Sequence, residues 1–248
     1  MTVSAQDVKQ LRDKTGVGMM ACRKALEESA GDLEKAIEIL RKRGEMKASD
    51  KSDREAGEGL VAFANRTMIK VNCETDFVAR NEDFVAFVND VASKEDGAQA
   101  FFDENRTDKM QEVGENLILG AISNLEGGSV VGGYVHSNGK MGALIALDGG
   151  TEEQARNVAM HVTAMNPSVM NPEDMPQDEM DKERALAVEA LIKEGKPENI
   201  IDKIVEGKMN KFAAERALTS QAFVKDGGMT VQEYLGDAKV VGMIREAV

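Results

Sequence analysis

Apolar residues recur at helical spacing in residues 1–44 and predict three short helices. The first helix is expected to stop at Thr15-Gly16-Val17-Gly18, and Gly44 is expected to end the third. The expected buried faces of these helices consist of Val8, Leu11, Cys22, Ala25, Leu26, Leu33, Ala36, Ile37 and Leu40. Residues 1–44 are therefore predicted to form a small bundle, of a kind often used to hold a partner. Residues 45–58 are largely charged, so a linker or a loosely held helix is expected there.

The pattern then predicts a first α+β half over residues 59–127. Apolar alternation indicates a β-hairpin in residues 59–72 with its bend at Asn65-Arg66, and a helix is expected to follow it. Residues 95–106 form a polar break. After this break a second helix, ending at Gly127-Gly128, is predicted from Val113, Leu117, Ile118, Ala121, Ile122 and Leu125.

A second half repeats the order of hairpin and helix over residues 128–170 and 220–248. Asn138-Gly139 between two apolar runs is the strongest short hairpin signal. Thr151 and Gln154 have the spacing of a capping box at a helix start, and Thr230 with Glu233 repeats it before a last strand. The two halves together predict a two-part α+β core with antiparallel sheets.

Residues 171–219 interrupt this second half. Two helical stretches joined by Gly195-Lys196-Pro197 predict an antiparallel helical hairpin that projects from the core. The fold class expected for the whole chain is therefore α+β, with an N-terminal helical bundle and an inserted helical hairpin.

The segment from Asn72 to Asn81 is the strongest functional candidate because it is a strand-to-helix turn with an aromatic residue. Thr75 or Asp76 is placed to cap the helix that follows, and Phe77 and Val78 lie at the corner itself. Two interpretations are open. Phe77 acts as a wedge for a partner, or it packs back on its own helix as in a hydrophobic staple.

The overall charge limits the partners that the chain can bind. There are 44 acidic and 31 basic residues, a formal net charge of −13. Such a surface repels phosphate backbones, and the aromatic content of 4% leaves few side chains for stacking on bases, so no nucleic-acid partner is expected. The sequence has neither the pattern of a signal peptide nor an apolar run that would span a membrane, so a soluble cytoplasmic protein without membrane contact is expected.

Candidates for catalytic chemistry are few. Cys73 lies just before a helix start, where a thiol can become a nucleophile, but a buried packing cysteine is the other interpretation. His136, beside the Asn138-Gly139 turn, is either a partner contact or a surface histidine without a role, and His161 is expected to be structural or solvated. The sequence Gly16-Val17-Gly18-Met19-Met20-Ala21 fits a dinucleotide-binding pattern but is preceded by a helix instead of a strand, so that function is rejected. Its corner Val17-Gly18-Met19-Met20 is interpreted as a contact loop between helices, and a buried methionine is the other interpretation. No cofactor and no metal site are expected.

Long motifs in the sequence resemble those of the bacterial elongation factor Ts family. The stretches that carry the resemblance are Leu11 to Leu26, Val71 to Asn81, Ala159 to Val162, Gly195 to Pro197 and Val205 to Met209. The sequence departs from the family pattern at Leu218 to Phe223 and at Arg245 to Val248.

The resemblance implies a function as well as a fold. It implies an N-terminal three-helix domain similar to ubiquitin-associated domains, and a helical hairpin, residues 171–219, that some members use for homodimerisation. It also implies a guanine nucleotide exchange factor that binds elongation factor Tu carrying GDP and carries out no bond chemistry. In the family, the turn corresponding to Thr75, Asp76, Phe77 and Val78 displaces the magnesium ion that helps to hold GDP. Secondary contacts are expected at Val17, Gly18, Met19, Met20 and His136.

Two alternatives to the exchange factor remain open from the sequence. The first is a non-enzymatic scaffold that uses the N-terminal bundle to recognise a peptide or a ubiquitin-like protein. The second is a thiol enzyme centred on Cys73.

Overall fold

The computed structural model describes residues 3–15, 17, 19–51 and 54–248, and for residues 44–51 it describes only the backbone. The chain divides into two compact units: residues 1–123 with 247–248, and residues 124–246. Both units combine helices with antiparallel β-strands, and the described N-terminal part is helical. The predicted α+β fold class is therefore confirmed.

The first unit begins with helices α1 (Ala5–Thr15), α2 (Met19–Glu28) and α3 (Leu33–Lys51). They form the N-terminal bundle, because each contributes apolar side chains to one small core that includes Leu11, Cys22, Leu26 and Leu40. Gly44 was predicted to end the third helix, and this prediction was wrong. The backbone remains helical to Lys51, so the segment predicted as a linker or a loosely held helix begins as a continuation of α3.

The rest of the first unit combines three α-helices with a three-stranded sheet of strand order β1-β2-β3. Strands β1 (Glu58–Ala64) and β2 (Thr67–Cys73) make the predicted antiparallel hairpin around Asn65 and Arg66. Then follow the single-turn helix α4 (Asp76–Ala79), α5 (Glu82–Ser93), α6 (Ala98–Val113) and strand β3 (Ile118–Asn124). The apolar faces of α5, α6 and the sheet share one core whose largest members are Phe84, Phe87, Phe102, Met110 and Leu117.

Two predictions for residues 95–127 were wrong. The polar break predicted at residues 95–106 lies largely within α6, and the helix predicted from Val113 to Leu125 is strand β3. The physical reason is Gly114, which ends α6 in the left-handed conformation with φ 81°. A helix cannot continue through that geometry, and its reversal directs residues 115–117 towards the end of β2.

The second unit contains a sheet with strand order β4-β5-β8, formed by β4 (Val130–Val135), β5 (Met141–Asp148) and β8 (Lys239–Ala247). Strands β4 and β5 form the hairpin predicted around Asn138-Gly139. Helix α7 (Glu152–Met165) packs on this sheet, and its predicted capping box between Thr151 and Gln154 is present. A two-stranded ribbon, β6 (Ala222–Phe223) with β7 (Asp226–Thr230), leads to α10 (Val231–Leu235), which has the second predicted capping box.

The helical hairpin consists of α8 (Gln177–Lys193) and α9 (Glu198–Arg216), which pack side by side as predicted. Their shared apolar seam contains Ala187, Leu191, Ile201, Val205 and Met209. The base of the hairpin is joined to the rest of the second unit. There Leu218 N donates to Val169 O at 2.9 Å, and Thr219 N donates to Met170 O at 3.0 Å. Among the described residues, no helix is both long enough and apolar enough to cross a membrane.

Candidate partner-binding site

The segment predicted as a strand-to-helix turn lies between the end of β2 and the start of α5. Thr75 is the N-cap of α4, because its hydroxyl accepts a hydrogen bond from Val78 N at 3.4 Å. The turn contains two helix starts instead of the one expected, since Asn81 caps α5 by accepting from Asp83 N and Phe84 N. Thr75 and Asp76 were the two candidates for the N-cap, and the structure shows that Thr75 is the N-cap of α4 and Asp76 is its first helical residue.

Phe77 and Val78 differ sharply in exposure on this one-turn helix. The Phe77 side chain is 81% exposed, whereas Val78 is 9% exposed and packs into the core of the first unit. Phe77 therefore does not pack back as a hydrophobic staple, and Val78 anchors the turn instead. A large aromatic group left in water on a short, anchored corner is available to a partner.

Asp76 forms an ion pair with Arg80, one helical turn away, with Oδ2 and Nη2 2.9 Å apart. The Arg80 side chain is well exposed, and exposed pairs of this kind stabilise a fold by only about 0–1 kcal/mol. The Asp76 carboxylate is thus held loosely and is available to other cations at little cost.

Glu115, a residue outside the motifs identified in the sequence, holds the turn from the side. One of its carboxylate oxygens accepts hydrogen bonds from the backbone N–H groups of Glu74 and Thr75, both at 3.0 Å. The other accepts a hydrogen bond from the Thr75 hydroxyl at 2.5 Å. In return, the Glu74 carboxylate accepts from Asn116 N at 2.7 Å. Residues 74–75 and 115–116 are therefore joined by reciprocal hydrogen bonds in which a carboxylate accepts from a backbone N–H group. The one sequence signal for this contact is Gly114, which marks a helix end just before Glu115.

A second layer of polar contacts fixes the position of Asn116, which is fully buried. Its side-chain oxygen accepts from Arg106 Nη2 at 3.1 Å, and its side-chain nitrogen donates to Arg54 O at 2.9 Å. Arg106 also donates to Leu117 O at 2.7 Å. Because α6 supplies Arg106, the loop that carries Glu115 is tied to a packed helix.

Cys73, the thiol that precedes the turn, is buried and donates a hydrogen bond to Thr75 O at 3.2 Å. Burial, together with the nearby carboxylates of Glu115 and Glu58, raises the pKa of the Cys73 thiol to about 12. A nucleophilic thiol requires a lowered pKa, so this environment is the opposite of what a thiol enzyme needs. Cys73 supports the turn by packing and by its hydrogen bond.

The contact loop predicted in the N-terminal bundle contains two exposed methionines. Met19 is 51% and Met20 68% exposed at the start of α2, whereas the Val17 side chain is buried in the bundle core. Gly16 and Gly18, which belong to the same predicted loop, lie outside the described residues. Exposed, flexible methionine side chains are well suited to packing against a partner of irregular shape.

The two histidines are in opposite environments. His136 is exposed beside the β4–β5 hairpin turn, where its Nδ1 lies 3.2 Å from Tyr134 Oη. His161 is fully buried on α7, so of the two predicted environments, structural or solvated, the structure has the first: its Nδ1 accepts from Val224 N at 3.1 Å, and its Nε2 lies 2.9 Å from Gln221 Oε1. Burial lowers the pKa of His161, and the hydrogen bond to Gln221 opposes this only in part. No group of His, Cys, Asp and Glu side chains among the described residues is arranged to hold a metal ion.

Comparison with known proteins shows the family to which the chain belongs. The family model described as Elongation factor TS matches residues 74–248, a range that includes the turn, Glu115 and the helical hairpin. The chain is 44% identical to elongation factor Ts of Deinococcus radiodurans, with 97% of each chain covered. The chain belongs to the elongation factor Ts family.

Other elongation factor Ts proteins match over similar lengths. The protein of Idiomarina loihiensis is 41% identical and covers 99% of this chain and 90% of its own length. The protein of Teredinibacter turnerae is 44% identical, with 93% of this chain and 85% of its own covered. The resemblance found in the sequence motifs is thereby confirmed, and the protein is an elongation factor of protein biosynthesis.

Proposed function

We propose that this protein is a guanine nucleotide exchange factor that binds elongation factor Tu carrying GDP and releases the nucleotide without bond chemistry. The observation that carries the proposal is the exposed Phe77 side chain on a turn that is anchored by Val78 and Glu115. Membership of the elongation factor Ts family supports it and supplies the partner.

Exchange requires only a difference in binding free energy. The protein must bind nucleotide-free elongation factor Tu more tightly than the GDP-bound form, and linkage then requires that GDP binds more weakly to the complex. Shifting the partner from almost wholly closed to almost wholly open requires about 5.5 kcal/mol of differential binding.

Phe77 supplies part of that difference. Transfer of a Phe side chain from water into an apolar pocket contributes about 1.5–3 kcal/mol, and the exposed ring leaves nearly all of this available. Because about 5.5 kcal/mol is needed, further contacts must contribute. We assign them to Met19 and Met20 on the bundle and to His136 on the β4–β5 hairpin, all of which are exposed.

Asp76 acts on the magnesium ion that accompanies the bound GDP. Its carboxylate is a hard oxygen ligand of the type that magnesium prefers, and its ion-pair partner in the described part of the chain is the exposed Arg80. When the Thr75–Val78 turn enters the nucleotide site, this negative charge disturbs the ligand and water shell of the ion. Loss of magnesium weakens the hold on the phosphates of GDP, and GDP leaves.

The helical hairpin offers a surface for homodimerisation. Leu186 is 61% exposed, Ile192 is 60% exposed and Ile200 is also exposed, although the hairpin already has an apolar seam of its own. Sedimentation of the parent protein and of Leu186→Glu tests this surface. A dimer that becomes a monomer in the variant supports it, and a parent that is monomeric at all concentrations excludes it.

Release of a fluorescent GDP analogue from purified elongation factor Tu tests the exchange function. We expect substoichiometric amounts of this protein to accelerate release, with excess unlabelled GDP present to prevent rebinding. Stable complex formation without acceleration would favour the scaffold alternative over exchange. The thiol enzyme alternative is disfavoured by the buried Cys73 and its raised pKa.

A further inference from the structure

We propose that Glu115 is a positioning residue that holds the Thr75–Val78 turn in the orientation in which Phe77 and Asp76 meet the partner. This inference rests on the proposed exchange function for its consequence, but the tether itself belongs to the free protein. The contact joins residues 40 and 41 positions apart in the sequence, so the turn is not held by its neighbours alone.

The hydrogen bonds of Glu115 fix the backbone at the point where β2 becomes α4. The Glu74 and Thr75 N–H groups lie before the first helical residue and so have no place in the hydrogen bonding of the helix itself. Both donate to one carboxylate oxygen of Glu115, while the other oxygen orients the Thr75 hydroxyl. The same hydroxyl accepts from Val78 N, so the carboxylate sets the direction of the cap as well as that of the backbone.

Helix α4 needs such an external support because it is one turn long. A helix of four residues is far below the length at which helices are stable in isolation, so its geometry must come from tertiary contacts. Val78 supplies an apolar anchor below the turn, and Glu115 supplies a polar one beside it. In the sequence, Phe77 lies between Thr75 and Val78, so the two anchors fix the backbone from which its ring projects. Ordering it in advance lowers the entropy that is lost on binding.

Glu115 is in turn held by its own loop. Gly114 reverses the chain after α6, and the buried Asn116 is bound by Glu74, Arg106 and the backbone of Arg54. The carboxylate is thus presented from a fixed backbone. Three hydrogen bonds to a charged acceptor are stronger than neutral ones, which explains the use of a glutamate at this position.

A graded set of variants tests the tether in the free protein. Glu115→Ala removes all three acceptor contacts, whereas Glu115→Gln keeps one oxygen for the two N–H groups and presents an amide to the Thr75 hydroxyl. We expect the amide hydrogens of Glu74 and Thr75 to exchange at least about tenfold faster in Glu115→Ala, and by an intermediate factor in Glu115→Gln. Glu104→Ala, which removes an exposed charge from α6, is the matched control and should leave both amides unchanged.

The functional consequence is tested in the GDP-release assay. Glu115→Ala is expected to lower the maximal rate of GDP release at saturating factor by about tenfold, with partial retention in Glu115→Gln. In a Phe77→Ala background the same substitution should lower the maximal rate of GDP release by a much smaller factor, because a positioning residue acts through the group that it positions. A loss that only followed thermal stability would be equal in both backgrounds.

The two experiments separate failure of this inference from failure of the proposed function. Unchanged amide exchange at Glu74 and Thr75 in Glu115→Ala overturns the tether whatever the assay gives. An equal loss of GDP release in both backgrounds overturns the positioning role. If the parent protein does not accelerate GDP release at all, the exchange function fails, and amide exchange alone then decides whether Glu115 holds the turn. Should Glu115→Ala fail to fold, the comparison of Glu115→Gln with Glu104→Ala decides in its place.

Discussion

Phe77 and Val78 are adjacent in the sequence, yet 81% of the first side chain is exposed and only 9% of the second. The contrast arises because α4 is a single turn, so consecutive residues point in different directions from its axis. Val78 contributes to the core of the first unit and fixes the turn, and Phe77 contributes nothing to that core. Stability and binding are thus divided between two neighbouring residues, which allows each to be tested alone.

We predict that Phe77→Ala leaves the fold intact and slows GDP release from elongation factor Tu. The exposed Phe77 side chain takes part in neither the Thr75 cap nor the Asp76–Arg80 ion pair, so its truncation should change the free energy of unfolding by no more than about 0.5 kcal/mol. The lost transfer energy of about 1.5–3 kcal/mol corresponds to a reduction of about 10- to 150-fold in the rate enhancement. Urea denaturation and the fluorescent GDP assay measure the two effects separately.

Met165→Ala is the matched control for Phe77→Ala, because Met165 is also a large exposed apolar residue but lies at the end of α7 and belongs to no proposed contact surface. It should leave GDP release per active molecule unchanged. Equal slowing by both substitutions would indicate a general effect of apolar surface, and normal release by Phe77→Ala would remove Phe77 from the mechanism.

We predict that replacing both Met19 and Met20 by Ala weakens the complex with elongation factor Tu more than it lowers the maximal rate of GDP release. Both side chains are exposed at the start of α2, so the substitution should not disturb the bundle core. Loss of their contact area is expected to raise the Kd by about tenfold or more, the factor that corresponds to about 1.4 kcal/mol. Titration of the exchange rate against factor concentration separates the two effects.

Leu26→Ala provides the contrasting case for the bundle. Leu26 is fully buried, so its truncation should destabilise the bundle by about 2–5 kcal/mol. If the double methionine variant unfolded as readily as Leu26→Ala, its weaker binding would reflect loss of structure instead of loss of contact.

The parts of the fold that were predicted correctly depend on local chemistry. Asn138-Gly139 marks a tight turn by itself, and each capping box needs only residues three apart, as in Thr151 with Gln154. The turn in the segment from Asn72 to Asn81 was predicted for the same reason, since a strand pattern, a cap and an aromatic residue are close together in the sequence. The exposure of Phe77 could not be predicted, because a staple and a wedge have the same sequence pattern.

Other features depend on contacts that the sequence pattern does not contain. Leu117, Ile118, Ala121 and Ile122 have the spacing of a helix face, but α6 ends at the left-handed Gly114, and residues from Ile118 onwards pair with β2 as strand β3. Helix α6 was missed because only Ala98, Phe102 and Met110 of its side chains are fully buried. Glu115 was missed because its partners lie 40 and 41 residues earlier in the chain.

We predict that Cys73 resists alkylation in the native protein. Its thiol is buried, and a pKa of about 12 leaves almost no thiolate at pH 8, so iodoacetamide should modify it only after unfolding in urea. Peptide mapping distinguishes it from Cys22, which is also buried. Rapid alkylation of Cys73 in the folded protein at pH 8 would revive the thiol enzyme interpretation.

The raised pKa of Cys73 also predicts a loss of stability in alkaline solution. The unfolded chain releases the thiol proton near the ordinary pKa of 9.0, whereas the folded chain keeps it until about 12. The folded state therefore binds more protons in this range, and the free energy of unfolding falls as the pH rises from 9 towards 12. Because other groups also titrate there, the measurement is the difference from Cys73→Ala, which should lose less stability than the parent between pH 8 and pH 10.5.

We predict that the buried His161 destabilises the protein in mild acid. Val224 N can only donate, so Nδ1 of His161 is an acceptor, and the ring proton lies on Nε2 and is donated to Gln221. This arrangement requires a neutral imidazole, and burial lowers the pKa of His161 from its ordinary value of 6.5. The unfolded state thus binds a proton that the folded state does not, and the free energy of unfolding falls as the pH decreases below 6.5.

Urea denaturation at pH 7.5 and at pH 5.5 measures this effect. His161→Gln keeps a donor towards Gln221 but cannot titrate, so its stability should differ less between the two pH values than that of the parent. His136→Gln replaces the exposed histidine and should retain the pH dependence of the parent. If His161→Gln and the parent lost the same free energy of unfolding on acidification, protonation of the buried ring would not be the cause of the acid sensitivity.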